Sequence, residues 1–428
     1  MNQVLVEHAR ILDPLNGIDA IGDIAVRDGL FVRPEALPRG AELRIDAAGC
    51  WLLPGLLDIH AHFREPDVGP LPETRQSGAL AAARGGFTDV VTMPNTSPAV
   101  DTPEAVRFQG RDDVAVAVHP SACCTEGRAG AAVADLEALA AAGAVAFTDD
   151  GAMVADDAIM ENVLRKAKEL GCVVMDHAVM PSLLRGGALR DCAVARRFSL
   201  PVFPPEAETA AVARDVALAR KAGARLHVQH LSCAESAALV AAAQGDGVAV
   251  TAEATPHHLL LAAEDIPGND ANWKMAPPLG TRADVSALRK AVLDGTIACF
   301  ATDHAPHAPQ RKADGFGARS ANGVIGLESA VGATLQAMVV ESGMAPLDWA
   351  ACWTTRPAKV VGLPPPSLAC GGQARFCIVR PGAVRFEEEN IASMSRNSPF
   401  VGRLLGGEVL ATYRRDRFTW LAQKLERH

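Results

Sequence analysis

The sequence predicts an α/β fold, a (β/α)8 TIM barrel with a small β-sandwich-like domain formed by both termini. Through the middle of the chain, eight apolar strand-like runs alternate with alanine-rich helical windows, the order typical of such a barrel. No glycine-rich phosphate turn follows an early strand, which disfavours an open dinucleotide-binding sheet. Short strand-like runs also occur at both ends, and the 428 residues exceed the roughly 250 that a barrel needs.

The two ends of the chain predict the second domain. Asp23–Val32 places two apolar runs around Asp28-Gly29, the pattern typical of a β-hairpin. Three further strand-like runs lie near the C-terminus: Arg375–Val379, Val409–Tyr413 and Phe418–Trp420. We therefore predict a composite β-domain from residues 1–52 and 362–428, and a barrel from residues 53–361.

The barrel elements alternate in order along the chain. The predicted strands are Leu56–His62, Thr88–Met93, Val114–His119, Ala144–Asp149, Cys172–His177, Arg225–His230, Val248–Glu253 and Ile297–Asp303. The helical windows include Thr74–Arg84, Val133–Ala142, Asp157–Leu170, Ala207–Ala222, Ala234–Ala243, Ala283–Leu293 and Leu327–Glu341. Because active sites of barrels lie at the C-terminal ends of the strands, polar residues at those ends are the first candidates for function.

Two histidines stand one residue apart at the end of the first predicted strand. Alternate side chains of a strand point to the same side, so His60 and His62 would project together, with Arg64 near them. Neutral imidazoles paired in this way suit a divalent metal such as zinc. The alternative is a packed pair of strand residues, so the presence of further ligands decides between the two.

Other predicted strand ends supply such ligands. His177 ends strand five and His230 ends strand six, while Asp303 ends strand eight, where a carboxylate could bind a metal and handle a proton. Each histidine alone could be a satisfied core residue, and a helix N-cap is the alternative for Asp303. Strand four ends in Asp149-Asp150, of which alternation allows only one to face the barrel mouth. Together these residues predict a metal site at the mouth.

Two residues beside this predicted site favour substrate contact over simpler alternatives. Arg64 could be a surface cation, but beside a metal doublet a planar bidentate donor for a carboxylate is the better interpretation. Asn95 follows strand two, where substrate contact competes with a role in a turn. The remaining histidines near strand ends are predicted to be structural: His119, His227 and His257-His258.

Composition limits the class of partner. The formal net charge of −9 leaves no basic face, which argues against nucleic acid or an anionic membrane as partner. The ten cysteines form no C-x-x-C pair and most lie in apolar runs, as reduced thiols do. The sequence shows no bilayer-spanning apolar stretch and no signal peptide. We therefore expect a cytoplasmic protein that acts on a small molecule.

One stretch resembles a known family closely. Asp58–Pro66 reads DIHAHFREP and resembles the Asp-x-His-x-His-x-Arg-x-Pro run of the dihydroorotases, class I bacterial type, in the amidohydrolase superfamily. Further blocks that resemble the family are Ala81–Thr88, Met93–Thr96, Phe147–Gly151, Val228–Ser232, Thr255–His258, Thr302–His307 and Ser395–Phe400. The resemblance covers nearly the whole chain and implies a (β/α)8 barrel with a flanking β-domain, in agreement with the pattern of elements.

The resemblance also implies a metal centre. Its ligands would be His60, His62, Asp150, His177, His230 and Asp303. In the family the second Asp of the Asp-Asp-Gly run is the ligand, which selects Asp150. Related hydantoinases and allantoinases carry a carboxylated lysine on strand four that bridges two metals. No lysine occurs in Gly143–Gly151, so a bridging carboxylate of Asp150 is expected, with Zn²⁺ as cofactor, one or two ions per chain and two expected.

Three stretches depart from the family pattern. The family's Asn-Pro-Pro-Leu-Arg after strand seven stands here as Ala276–Gly280, and its Pro-Phe-Gly stands as Ala321–Gly323. The acidic pair that follows the strand-five histidine is replaced by Ala178-Val179. These changes leave the metal ligands intact and put the details of substrate contact in question.

The implied activity is that of a dihydroorotase, the reversible zinc-dependent cyclisation of N-carbamoyl-L-aspartate to L-dihydroorotate in de novo pyrimidine biosynthesis. Asp303 would take the proton of the attacking water and pass it to the leaving ring nitrogen. Arg64, Asn95 and His307 would hold the substrate carboxylate and so fix the ring over the metal.

Two alternative functions stay open. One is another cyclic-amide hydrolase, of hydantoinase or allantoinase type, which the changes at Ala276 and Asn322 would permit. The other is a non-catalytic dihydroorotase-like subunit of an aspartate transcarbamoylase complex, although such subunits lose metal ligands that this chain keeps. A homo-oligomer, a dimer, is expected in either case, and aspartate transcarbamoylase is a possible partner of an active enzyme too.

Overall fold

The computed structural model describes residues 3–37, 43–67, 72–110, 112–423 and 425. Within these ranges the chain forms two sheets of eight strands each, with helices packed around one of them. None of the helices in the described ranges has the length and apolar character needed to cross a membrane.

The strands and helices follow one another in the following order. The strands are β1 (Gln3–Asp13), β2 (Ile18–Arg27), β3 (Leu30–Val32), β4 (Leu43–Asp46), β5 (Trp51–Pro54), β6 (Leu56–Ala61), β7 (Phe87–Thr92), β8 (Ala117–Ala122), β9 (Ala146–Phe147), β10 (Val173–Asp176), β11 (Leu226–Val228), β12 (Val250–Ala254), β13 (Cys299–Phe300), β14 (Arg375–Arg385), β15 (Leu404–Arg414) and β16 (Arg417–Leu421). The α-helices are α1 (Arg75–Arg84), α2 (Pro103–Gln109), α3 (Leu136–Ala141), α4 (Asp157–Glu169), α5 (Ala193–Arg197), α6 (Glu206–Ala222), α7 (Ala234–Gly245), α8 (Pro256–Leu260), α9 (Arg282–Leu293), α10 (Ala330–Thr334), α11 (Pro346–Trp353) and α12 (Thr355–Val361).

The predicted TIM barrel is confirmed. Strands β6 to β13 are parallel, and each pairs with its neighbour in the chain. A parallel bridge between Ala61 and His304 joins the last strand region to the first, and the backbone N–H of His62 donates to the carbonyl of His304 (2.8 Å). All six residues of β6 are buried, as expected for a parallel strand that is covered on both faces. The closing contact therefore lies beside the predicted histidine doublet.

The second sheet combines strands from both ends of the chain, as predicted. Its order is β16-β15-β14-β5-β1-β2-β3, with β4 paired to β1. The predicted hairpin forms between β2 and β3, and its turn residues Asp28 (φ 53°) and Gly29 (φ 76°) both adopt the left-handed conformation that such a turn requires. We propose the ranges 1–52 with 362–428 and 53–361 as the boundaries of the two domains.

Several predicted elements differ from the structure. Only Ala146–Phe147 of predicted strand four and Cys299–Phe300 of predicted strand eight are strands. Two further elements differ in position or type. The third barrel strand runs from Ala117 to Ala122, three residues later than predicted. The shift arises because His119 and Pro120 remain paired with β7, where the ring of His119 lies 2.9 Å from Asp89. The predicted helix Leu327–Glu341 consists of the short α10 and a π-helical turn, Leu335–Val340. The alanine-rich sequence is typical of a continuous α-helix, and the π-helical turn could not be predicted from it.

A polar contact stabilises the helices behind the barrel. The hydroxyl of Thr334 accepts the indole N–H groups of Trp349 and Trp353 (3.1 Å each) and donates to the carbonyl of Ala330 (2.8 Å). The ring of Trp353 in turn packs against Phe87 (5.2 Å between ring centroids), which begins the second barrel strand.

We expect T334V to destabilise the fold, because it leaves two buried indole N–H groups without an acceptor. Each such group costs about 1–3 kcal/mol, so the free energy of unfolding should fall by about 2–6 kcal/mol. Thermal and denaturant unfolding would measure this, with T419V as the control because Thr419 lies on the half-exposed β16. Equal stability of the two variants would contradict the role of Thr334.

Candidate metal centre

The doublet on β6 points into the mouth of the barrel. Nε2 of His60 lies 3.2 Å from Oδ1 of Asp150, and Nε2 of His62 lies 3.4 Å from Oδ2 of the same carboxylate. Nε2 of His62 also lies 3.0 Å from Oδ1 of Asp303, which follows the last barrel strand. All four side chains are buried. The first, fourth and last strand regions thus contribute to one cluster.

The fifth and sixth strands complete the group. Nδ1 of His177 lies 2.8 Å from Nε2 of His230 and 3.9 Å from Oδ1 of Asp150. The potential ligand atoms form two triplets, His60–His62–Asp150 and Asp150–His177–His230, and within each triplet all atoms lie within 4.8 Å of one another. Asp150 belongs to both triplets, so its carboxylate lies at the centre of the cluster.

The residues present fit a divalent cation. Nε2 of His60 and Oδ1 of Asp150 are buried, and neither makes a hydrogen bond with any described residue, although buried polar atoms are usually satisfied. A cation between them would satisfy both. Burial, followed by the neighbouring His177, lowers the pKa of His230 well below its ordinary value. That shift favours the neutral imidazole, which is the form that binds a metal.

The carboxylates of Asp150 and Asp303 in the cluster remain ionised. Burial alone would raise the pKa of Asp150, but the charges of His60 and His62 hold it well below its ordinary value. For Asp303, burial is likewise outweighed, here by the hydrogen bond from His62 and the charge of His60, and its pKa is lowered. Both carboxylates are therefore ionised at neutral pH.

Two residues of the cluster adopt an uncommon backbone conformation. His230 (φ 32°) and Asp303 (φ 47°) have positive φ angles, which residues other than glycine rarely adopt. Each follows directly after a barrel strand region, where the chain turns away from the ladder. Local strain of this kind is typical of functional sites, because the surrounding structure must hold the side chain in place.

The structure distinguishes between the two neighbouring aspartates after β9. Asp149 turns away from the cluster and accepts the backbone N–H groups of Cys124 (2.9 Å) and Thr125 (3.2 Å), together with the Thr125 hydroxyl. Asp150 faces the histidines. Strand alternation predicted that only one of the two would face the mouth, and the one beside the histidines is Asp150. Its role as a metal ligand stays a prediction.

Sequence analysis missed Glu253, a buried carboxylate within β12. Its Oε1 lies 2.6 Å from Nδ1 of His60, and its Oε2 lies 3.1 Å from Nε2 of His227. Burial alone would raise the pKa of Glu253, but the charge of His60 and the hydrogen bond from His227 lower it to about 2. The carboxylate thereby fixes His60 with Nε2 toward the cluster. An acidic residue inside a mostly apolar strand is a signal that could have identified it.

The predicted substrate-binding residues Arg64, Asn95 and His307 line a cavity of about 320 Å³ next to the cluster. Nε of Arg64 donates to the carbonyl of Pro306 (3.2 Å). Nε2 of His307 lies 2.7 Å from the carbonyl oxygen of Asn322, which also lines the cavity. Burial, with the neighbouring charge of Arg64, lowers the pKa of His307 to about 3, so this ring is neutral without a ligand.

Asn95 contacts the cluster as well as the cavity. Its Oδ1 lies 2.9 Å from Nδ1 of His62, and its Nδ2 donates to Oδ2 of Asp150 (3.4 Å). The amide thus fixes Nδ1 of His62 as a donor and leaves Nε2 for the cluster. This contact with the doublet was not predicted from the sequence.

The histidines predicted to be structural lie outside the cluster. His119 contacts Asp89, and Nε2 of His258 lies 3.1 Å from the carbonyl oxygen of Pro277. His257 is buried, and neither of its ring nitrogens has a hydrogen-bond partner within the described ranges. His227 differs from these, because it reaches the cluster indirectly through Glu253.

Comparison with known proteins identifies a family. Residues 49–236 match the model of a family described as dihydro-orotase-like. A dihydroorotase from Bacillus caldolyticus is 42% identical over 381 residues, which cover 88% of each chain. A dihydroorotase from Pelotomaculum thermopropionicum is 39% identical over 415 residues, which cover 96% of each chain.

Solved structures agree with the fold. An L-hydantoinase from Arthrobacter aurescens superposes with a TM-score of 0.86 at 23% identity, covering 100% of this chain and 98% of that one. A dihydropyrimidinase from Brevibacillus agri gives a TM-score of 0.85, also at 23% identity, over 100% of this chain and 96% of that one. At this level of identity the likeness shows a shared architecture only. The similarity to the two dihydroorotases is higher and extends over most of the sequence, and the chain therefore belongs to the dihydroorotase family of metal-dependent cyclic amidohydrolases.

Proposed function

We propose that the chain is a class I bacterial dihydroorotase, which cyclises N-carbamoyl-L-aspartate to L-dihydroorotate and catalyses the reverse reaction. The observation that carries the proposal is the position of Arg64 beside the cluster, in a chain 42% identical to a dihydroorotase. A cluster of histidines and carboxylates suits hydrolysis of a cyclic amide, and a partly buried guanidinium beside it suits an acidic ring.

The proposed metal ligands are His60, His62, Asp150, His177, His230 and Asp303. We propose two Zn²⁺ ions with Asp150 as the bridging carboxylate, because the two triplets of ligand atoms share that residue. A metal held there would lower the pKa of a water molecule toward about 7 and polarise the ring carbonyl.

Asp303 is the proposed general base and acid. Its carboxylate is ionised, because its pKa is lowered, and Oδ1 lies 3.0 Å from Nε2 of His62. In hydrolysis Asp303 would take a proton from the attacking water and pass it to the leaving ring nitrogen. In the cyclisation direction it would remove a proton from the carbamoyl amine.

Arg64, Asn95 and His307 are the proposed substrate contacts. Among the hydrogen bonds of the described residues, Arg64 uses only Nε, which leaves its terminal nitrogens for a carboxylate. Asn95 lies between the cluster and the cavity and would hold the ring near the metal. Nε2 of His307 donates to the carbonyl of Asn322, so in the neutral ring Nδ1 carries no proton. His307 would therefore take up a second proton, on Nδ1, when it donates to a substrate carboxylate.

A second candidate is hydrolysis of a neutral cyclic amide, as in a hydantoinase. The apolar side chains that line the same cavity favour it: Val179, Leu184, Phe203 and Met275. A non-catalytic role beside aspartate transcarbamoylase is disfavoured by the fit of the cluster to a cation. On the family resemblance alone we also propose a homodimer, a cytoplasmic location and aspartate transcarbamoylase as a possible partner.

E253Q should weaken metal binding. The neutral amide no longer stabilises the donor form of Nδ1 in His60, and loss of such an outer contact typically costs about 10–100-fold in metal affinity. Competition with a chelator would measure the affinity, and absorption of a Co²⁺-substituted sample would report on ligand geometry. The control is E264Q, since Glu264 is an exposed residue of a short helical turn. Unchanged affinity in E253Q would contradict the positioning role.

D303N should preserve the fold but lower kcat for dihydroorotate by about 10²–10⁴-fold, because the amide cannot accept the transferred proton. Steady-state kinetics on protein of measured metal content would test this, with circular dichroism to verify folding. D246N, at an exposed ion pair with Arg220, is the matched control. Near wild-type turnover in D303N would refute the assigned role.

R64M should raise KM for dihydroorotate by about 10–100-fold, since a hydrogen-bonded charge contributes about 1.5–3 kcal/mol. Hydrolysis of an uncharged hydantoin, if measurable, should change little. R220M, which removes an exposed arginine, serves as control. A substrate panel of dihydroorotate, hydantoin and allantoin on the wild-type protein decides the main proposal: turnover of hydantoin without turnover of dihydroorotate would overturn it.

A further inference from the structure

One wall of the cavity is formed by two segments that are distant in sequence. Residues 274–278 contribute Met275 and Ala276, and the loop 309–323 after the last barrel strand contributes Asn322 and Gly323. The segments touch directly, because the backbone N–H of Gly323 donates to the carbonyl of Lys274 (2.9 Å). This is the wall in which the sequence departs from the family pattern, and we call it the variable wall.

The ammonium group of Lys312 joins the two segments. Its Nζ donates to the carbonyls of Lys274 (3.1 Å), Ala321 (3.0 Å) and Gly323 (2.7 Å). Three N–H groups meet three carbonyl oxygens, so the ammonium form is fully satisfied, whereas a neutral amine would leave one carbonyl without its donor. In the part of the chain that the structure describes, Lys312 forms no ion pair with a carboxylate; the three carbonyl oxygens face its charge directly, and Asp270 interacts with it at longer range.

Lys274 makes the reciprocal connection. It is buried, and its Nζ donates to the carbonyls of Gly317 (2.8 Å) and Ser320 (2.7 Å) in the same loop. Each lysine therefore reaches from its own segment to a backbone carbonyl of the other. Three charge-assisted hydrogen bonds hold the loop against residues 274–278. The other two, from Lys312 to Ala321 and Gly323, hold the end of the loop to its beginning.

The carbonyls bound by Lys312 flank the residue that contacts His307. Ala321 and Gly323 lie on either side of Asn322, whose carbonyl oxygen is 2.7 Å from Nε2 of His307. Asn397 adds a second connection: its amide donates to the carbonyl of Gly323 (3.1 Å), and its Oδ1 accepts the backbone N–H of His307 (3.2 Å). Displacement of the loop would therefore displace the His307 ring.

We propose that Lys312 is a positioning residue for substrate binding: it ties the two segments of the variable wall together and so holds His307 and Asn322 in place at the cavity. It touches neither the substrate nor the metal ligands. The inference rests on the proposed dihydroorotase reaction, in which His307 contacts the substrate. Loss of Lys312 should weaken binding of the substrate and of the transition state equally, so it should raise KM and leave kcat unchanged.

K312M should raise KM for dihydroorotate by about tenfold or more, with kcat within about twofold of wild type and unchanged metal content. Loss of a single charge-assisted hydrogen bond already corresponds to roughly this factor. K312Q, whose amide can donate to two of the three carbonyls, should give a smaller increase and covers the case in which K312M does not fold. K290M is the control, because Lys290 lies at the exposed surface of α9.

Limited proteolysis gives a measurement that does not depend on activity. The side chain of Arg319 lies in the loop and is 87% exposed, so trypsin cleavage after it reports on loop opening. We expect this cleavage to be faster in K312M and in K274M than in wild type. Because both lysines hold one loop, the double variant should cleave little faster than the more susceptible single variant.

Two outcomes would overturn the proposal: wild-type KM with wild-type cleavage in K312M, or a fall in kcat and metal content at unchanged KM, which would make Lys312 a general structural residue. Failure of the proposed function is distinguishable. If the wild-type protein does not turn over dihydroorotate, the reaction is refuted, while the cleavage rates still decide whether Lys312 holds the loop.

Discussion

Charge at the mouth of the barrel is the constraint on which the rest of the site depends. Asp150 and Asp303 are ionised and buried beside four buried imidazoles, and Oδ1 of Asp150 has no hydrogen-bond partner among the described residues. Buried charges of this kind are tolerated only when they are paired or bind a cation. The arrangement is therefore typical of a binding site and not of a packed protein core.

Around this cluster lies a layer of residues that only hold others in place. Glu253 and Asn95 each take the Nδ1 side of one histidine of the doublet, so that both rings present Nε2. Asp58 accepts the backbone N–H groups of His60 (3.2 Å) and Thr302 (3.0 Å) and thereby joins the first and last strand regions. Residues outside the ligand set thus orient the proposed ligands through hydrogen bonds.

Much of the fold and of the ligand set could be predicted from the sequence, and the reasons are physical. Alternation of apolar runs and helical windows reflects the burial of parallel strands, and the polar residues His177 and His230 stand out where those runs end. Glu253 lies within a strand and not at its end, where the candidates were sought, so it was missed although its charge contrasts with its neighbours. The contact partners of Asn95 and Lys312 depend on how distant segments meet, and local pattern carries no information about that.

The closure of the barrel has a consequence for when the metal cluster can assemble during synthesis and folding of the chain. His62 and Asp303, 241 residues apart in sequence, meet at 3.0 Å beside the bridge that joins the ends of the barrel. A growing chain on the ribosome has the histidine doublet early but lacks its last carboxylate until most of the sequence has emerged. The full set of proposed ligands therefore exists only after the ring of strands has closed.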